Sequence, residues 1–273
     1  MKKLSHQLKK RRSRLLRCYD DEDLHQLRIR LRRMRGHLKL LPGEQAHRLR
    51  RELGMLTDTT NAARDWDTLF THTGELLPPE QFHHLQALLQ LHRRTAHETV
   101  LAMLQSDAWT AAIKQWQQLE KDELFRKYRA SDGSGQKKNA VRRARQRVDS
   151  ARSKALGKGS DRSWHKLRIA IKDLRYQLDE TPKKARSSHD RKMIAQCKQL
   201  QEYLGAWHDT VTHRQLLQEL ADSLDSIHYP RATDALDILD NAIREEQDRV
   251  LAEVKTMLQQ DTLLAIAPVT ERM

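Results

Sequence analysis

Glycine and proline are scarce in this chain, at 9 and 6 of 273 residues, so backbone punctuation is rare and long unbroken elements are expected. Aromatic residues make up only 5%. No β-branched or aromatic run reaches strand length between turn signals, which argues against a sheet. The two cysteines, Cys18 and Cys197, lie in helical patterns and form no metal-type pair. That excludes a disulfide framework and predicts reduced thiols, as in a cytosolic protein. No apolar run approaches the roughly 18 residues of a membrane span, and the opening MKKLSHQLKKRRSRLLR lacks the apolar core of a signal peptide. A cytoplasmic protein with no membrane partner is expected. Also missing are a Walker-type glycine loop, an HExxH pair and a regular Glu pattern that would gather Mg²⁺. No catalytic residue, metal or cofactor is therefore expected, and the chain reads as a binding protein, not an enzyme.

What is abundant is charge. Charged residues are 32% of the chain, apolar ones 38%, and the net charge is +14. The cations are segregated: residues 1–51 hold 17 Lys/Arg against 5 Asp/Glu, and residues 137–192 hold 19 against 6. The remainder is net acidic. A basic site on an otherwise acidic molecule points to a specific anionic partner, not to indiscriminate coating of nucleic acid.

The two basic regions contain one motif twice. LHQLRIRLRRMRGHL at Leu24 to Leu38 reappears as WHKLRIAIKDLRYQL at Trp164 to Leu178, 140 positions later, and from His25 onward six of fourteen positions are identical. Leu24, Leu27, Leu31, Met34 and Leu38 step by three and four, the spacing of a buried helix face. His25, Arg28, Arg32, Arg35 and Lys39 take the same steps one residue later, making a cationic stripe rotated by about 100°. In the second copy Trp164, Leu167, Ile171, Leu174 and Leu178 form the apolar stripe, and His165, Arg168, Lys172 and Arg175 the cationic one. Outside the stripe charge was lost, with Arg30 answered by Ala170 and Arg33 by Asp173. Cations that merely snorkel beside a core would not need to recur this way.

The periodicity predicts an all-α fold with helices near 2–19, 22–41, 44–72, 79–105, 107–129, 138–156, 161–180, 188–224 and 231–259. Asp20, Asp21, Asp23 and Asp161 supply caps; Pro42-Gly43, Pro78-Pro79, Thr181-Pro182 and Tyr229-Pro230 supply stops. SDGSGQ at 131–136 reads as the main linker. The expected organisation is a first helical repeat at 1–106, a connecting helix and linker at 107–136, and a second repeat at 137–273, each repeat a four-helix bundle. A fainter correspondence pairs Arg64-Asp65 with His208-Asp209, at an offset of 144. These aspartates could orient a cation of the motif helix, or cap and break a long helix. The histidines at 83–97, with His84, His92 and His97 on no common face with a carboxylate, read as solvated surface residues.

HQLRIRLRRMRGHL, HKLRIAIKDLRYQL, ARDWD at Ala63 to Asp67 and LGAWHD at Leu204 to Asp209 resemble the paired signatures of the conserved histidine α-helical domain (CHAD) family, over essentially the whole chain, 1–273. The resemblance implies two four-helix bundles related by pseudo-two-fold symmetry around a central basic channel, and inorganic polyphosphate as ligand. It implies a lining of His25, Arg28, Arg32, Arg35 and Lys39 with His165, Arg168, Lys172 and Arg175, joined by basic residues among Lys10, Arg11, Arg14, Arg64, Arg142 and Arg145. His208 departs from the Arg of the first half.

A flexible chain with about one charge per phosphoryl unit calls for guanidinium forks and lysine point charges along a groove. The histidines would be donors that strengthen binding at mildly acidic pH. Localisation at polyphosphate granules is an expectation of the same resemblance. Nucleic acid is the alternative partner, disfavoured because the basic regions lack interleaved aromatics for stacking. A non-catalytic accessory role beside a phosphate-metabolism enzyme is the other alternative.

Overall fold

The computed structural model describes residues 4–39, 41–122, 134–179, 186–224 and 227–260, and among them there are helices and no strands. In chain order they are α1 (Leu4–Arg17), α2 (Asp21–Lys39), α3 (Glu44–Asp58), α4 (Asn61–Leu76), α5 (Pro79–Gln105), α6 (Asp107–Lys121), α7 (Ser134–Lys158), α8 (Asp161–Asp179), α9 (Ser188–Ser223) and α10 (Pro230–Gln260). The stop expected at Thr181-Pro182 and most of the SDGSGQ linker lie outside the described residues. The chain divides into two compact units. Unit 1 is drawn from Met1–Ser131 and Leu220–Leu239, unit 2 from Asp132–Glu219 and Asp240–Met273.

In unit 1, α1 packs on α2, α2 on α3 and α4, and α4 on α5. The apolar stripe of the first motif, Leu24, Leu27, Leu31, Met34 and Leu38, is fully buried. Burying a leucine side chain contributes roughly 2 kcal/mol, so this face fixes the rotation of α2. The helix read from sequence as a connector, α6, packs against α3 and α5 with Trp109 and Trp116 buried. Its Glu120 carboxylate is buried and accepts from the hydroxyl of Ser5 on α1. Within unit 2, Trp164, Leu167, Ile171 and Leu174 of α8 join Ala144 and Val148 of α7, Cys197 and Leu204 of α9, and Val254 and Leu258 of α10 in one core.

One local expectation is corrected. The helix expected across 44–72 is interrupted at Thr59 and Thr60, between α3 and α4. Thr57 and Thr60 turn their hydroxyls onto the carbonyls of Leu53 and Thr57, both at 2.6 Å. The Thr60 amide bonds to Thr57 O at 3.1 Å, one residue short of helical spacing. Clustered threonines compete with the backbone ladder in this way and bend helices.

Recurrence of a cation at the 140-residue offset does not by itself mark a ligand. Arg12 Nε donates to the Leu104 carbonyl at 2.7 Å, at the end of α5, and Arg152 donates to the Leu258 carbonyl near the end of α10. Each is an arginine satisfying the orphan acceptors of a helix C-terminus.

Candidate functional site

In unit 1 the motif helix α2 starts beneath an Asp20 cap, whose Oδ1 accepts the Asp23 amide at 2.8 Å. Burial of the leucine face leaves His25, Arg28, Arg32 and Arg35 half-buried along its edge. Arg28 reaches furthest inward. It donates to Thr60 Oγ1 and, at 3.5 Å, to the Thr57 carbonyl, so it braces the joint between α3 and α4. The first turn of α4 carries Arg64 and Asp65 alongside. Burial and the charge of Arg32 lower the Arg28 pKa from its usual value, Asp65 opposes them, and Arg64 adds to the lowering. Burial and the positive charges of Arg64, Arg32 and Arg28 hold His25 below the usual imidazole value, with Glu22 opposing. His25, Arg28, Arg32 and Arg64 therefore form one electrostatically coupled set.

Arg35 is aimed elsewhere. Its guanidinium lies against Gly54 of α3, where a Cβ would sit 3.4 Å from Nη2. Lys39 is exposed at the last residue of α2.

Unit 2 repeats the set. The rings of His165 on α8 and His208 on α9 are 5.0 Å apart, centroid to centroid. Burial holds His208 down to about 4, and the charges of Arg168, His165 and Lys172 push the same way. His165 is lowered by burial and by Arg168. Arg175 sits 3.9 Å from Asp179, one turn further on. The second quartet is thus His165, Arg168, Lys172 and His208, with His208 in the place that Arg64 takes in unit 1. His208 lies outside the residues that the motif assigns; the offset of 144 from Arg64 is the signal in the sequence that points to it.

The residues considered on the opening helices are placed differently. Arg11 is paired with the buried carboxylate of Asp23, and Arg14 lies 3.5 Å from the same carboxylate. Lys10 and Arg142 are exposed, and Arg145 lies within electrostatic reach of Asp149.

The histidines of α5 correct the sequence reading. Two of them are not simply solvated: His92 stacks on Trp66 at 4.6 Å, and His97 Nε2 lies 2.8 Å from Asp67 Oδ1 while its ring stacks on Tyr19 at 3.5 Å. Asp67 is buried and also accepts from the Tyr19 hydroxyl at 2.8 Å and Arg93 Nε at 3.0 Å. This hub ties α4 and α5 to the segment before α2. Among the described residues no group of three His, Cys, Asp or Glu side chains could hold a metal, and no helix is long and apolar enough to cross a membrane.

The fold and site together define an all-α protein whose repeated helices each present a cluster of His, Arg and Lys at the border of a buried face. The chain belongs to the CHAD domain family, whose model matches residues 1–218. Among solved structures it is similar to the CHAD domain from the plant Ricinus communis, with a TM-score of 0.73 and 22% identity over 94% of this chain and 88% of that one. It is also similar to PptA from Streptomyces chartreusis, with a TM-score of 0.62 and 17% identity over 94% of this chain and 96% of that one. At these identities the structural likenesses speak for the fold. No curated protein sequence matches the chain.

Proposed function

We propose that this protein binds inorganic polyphosphate through its two cationic quartets, and that binding, not catalysis, is its role. The observation that carries the reading is the recurrence of the quartet. A His, an Arg and a further cation from the motif helix are joined in each unit by a basic residue from another helix, Arg64 or His208. Neighbouring cations help to hold His25, Arg28, His165 and His208 below their usual values; such like-charge crowding is destabilising in the free protein, and a polyanion relieves that repulsion. Family membership supports the ligand, and it alone supports joining the two quartets along a shared basic channel. Residence at polyphosphate granules in the cytoplasm, and service beside an enzyme of phosphate metabolism, extend the same proposal.

The deciding experiment is titration with long-chain polyphosphate against RNA and duplex DNA as competitors at physiological salt. Polyphosphate is expected to win, with affinity falling steeply as salt rises because binding releases counterions. Equal binding of the three polymers would sink the proposal in favour of a general nucleic-acid binder. Metal-dependent release of phosphate from polyphosphate, lost on mutating an acidic residue, would overturn the non-catalytic role.

A pH dependence follows from the histidines. His208 is held at about 4 and is neutral at pH 7 in the free protein. A bound polyanion favours its charged form, so binding takes up protons and affinity rises as pH falls from 7 toward 5. Replacing His25, His165 and His208 with alanine should flatten that profile when Kd is followed across pH. Fold stability has the opposite sign. The unfolded imidazole, near 6.5, binds protons that the folded one refuses, so the stability due to neutral His208 is present above 6.5 and lost as pH falls through about 4.

A further inference from the structure

A groove of about 580 Å³ runs between α7 and α8, wholly within unit 2. It does not contain the quartet. Arg162, Lys166 and Asp173 of α8 line it, spaced by four and seven, on the side of the buried face opposite His165, Arg168 and Lys172. From α7 and its end come Arg147, Lys154 and Lys158. Asp173 is the one carboxylate in the lining, and it is already 2.6 Å from Arg147. Lys154, Lys158, Arg162 and Lys166 are exposed and have no ion pair among the described residues.

The internal repeat provides a built-in control for what this means. At the 140-residue offset, Lys154 corresponds to Arg14, Arg162 to Glu22, Ser163 to Asp23 and Lys166 to Gln26. In unit 1 the buried Asp23 carboxylate holds both Arg11 and Arg14. In unit 2 the corresponding Ser163 supplies no charge, and its hydroxyl is turned onto the Ser160 carbonyl at 2.6 Å. Where the first copy places two acids and an uncharged glutamine, the second places a serine and two further cations. Such charges repel one another at a cost, and the same fold demonstrably does without them in its other copy. The volume lies within the roughly 300–1,000 Å³ of small-molecule sites. The floor is apolar: Ala151 and Ala170 are small, and Ile169 is left 46% exposed.

We propose that the α7–α8 groove is a second anion site, separate from the quartets, that takes a compact oligophosphate, either inorganic or carried on a nucleoside. Lys154, Lys158, Arg162 and Lys166 meet the phosphoryl oxygens as charge-assisted donors. The apolar floor at Ile169 is where an organic part of the ligand rests. The proposal stands independently of polyphosphate binding by the quartets.

The test uses the full chain carrying Arg32→Ala, Arg168→Ala and Lys172→Ala, which disables the quartets, with calorimetric titration of inorganic tripolyphosphate, ATP and AMP. One equivalent of tripolyphosphate or ATP is expected to bind. Adding Lys158→Ala and Lys166→Ala should weaken it by about tenfold or more, whereas Lys9→Ala with Arg51→Ala, both exposed in unit 1, should leave it unchanged. Tighter binding of ATP than of tripolyphosphate identifies an organic oligophosphate; the reverse order identifies an inorganic one. The absence of residual binding, insensitivity to Lys158 and Lys166, or AMP binding as tightly as either ligand would overturn the assignment. Long-chain polyphosphate binding by the wild-type chain, without this residual site, would remove the groove alone. Residual tripolyphosphate binding without a polyphosphate preference in the wild type would remove only the quartet reading.

Discussion

Replacing Arg32, Arg168 and Lys172 together with alanine is expected to lower the affinity for long-chain polyphosphate by about a hundredfold or more at physiological salt, since charge-assisted contacts contribute about 1.5–3 kcal/mol each. Arg33→Ala, by contrast, should leave affinity within about twofold. Arg33 is one residue from Arg32 but exposed on another face, and its counterpart in the second copy is Asp173, paired with Arg147. Arg32 is a cleaner choice than Arg28. Arg28 also braces the α3–α4 joint through Thr57 and Thr60, so Arg28→Ala with Arg168→Ala should weaken binding strongly but also loosen the fold. The comparison is read by fluorescence competition or calorimetry, with melting temperature as the folding control. If Arg33→Ala weakened binding as much as the triple change, the quartets would be no more than part of a diffuse basic surface.

The largest stability effect is expected at Asp67, a residue outside the proposed binding set. Asp67→Ala leaves the Tyr19 hydroxyl, Arg93 and His97 around a vacated buried position, and removing one partner of a buried charged network costs about 3–5 kcal/mol. Urea unfolding at neutral pH measures it. Burial pushes the Asp67 carboxyl up, but hydrogen bonds from His97 and Tyr19, and then Arg93, bring it below the usual carboxylate value. The sign follows. The ionised network contributes stability above the unfolded value near 3.8, and that stability is lost as pH falls through the lower folded value. The same burial and the Asp67 charge push Tyr19 upward, so the phenol stays protonated and remains a donor. A loss below about 1 kcal/mol in Asp67→Ala would mean that Tyr19 and His97 find other partners.

Much of the architecture was legible because helices announce themselves locally. Pro79, Asp107 and Asp161 mark helix starts where they were expected, and the leucine spacing of α2 and α8 gave the buried face residue by residue. The TDTTN run at 57–61 does not announce a break, because each residue alone is only mildly unfavourable in a helix. What interrupts the ladder is the two hydroxyls of Thr57 and Thr60 acting together, with an arginine from α2. The partners of His92 and His97 on α5 are hidden from the sequence for a similar reason. His97 looks solvated by periodicity, and only the pairing of α4 with α5 brings Asp67 to within 2.8 Å of it across 30 positions.

The cationic stripe shows where the two kinds of information part. Spacing and repetition identified His25, Arg28 and Arg32 with His165, Arg168 and Lys172, because a stripe on one helix is a property of residues three and four apart. Which cations are already committed is decided by distant partners. Arg12 and Arg152 recur as faithfully as the stripe yet end on the carbonyls of Leu104 and Leu258. Arg11 and Arg14 are held by Asp23, while Lys154 meets no carboxylate because Ser163 stands in that place. The sequence by itself determined the helical class, the duplication and the faces on which charge is displayed, all of which follow from short-range periodicity. Only the tertiary structure decided which of those charges, such as Arg11, Arg12, Arg14 and Arg152, end on a carboxylate or a carbonyl within the fold, because such pairing depends on contacts between residues far apart in the chain.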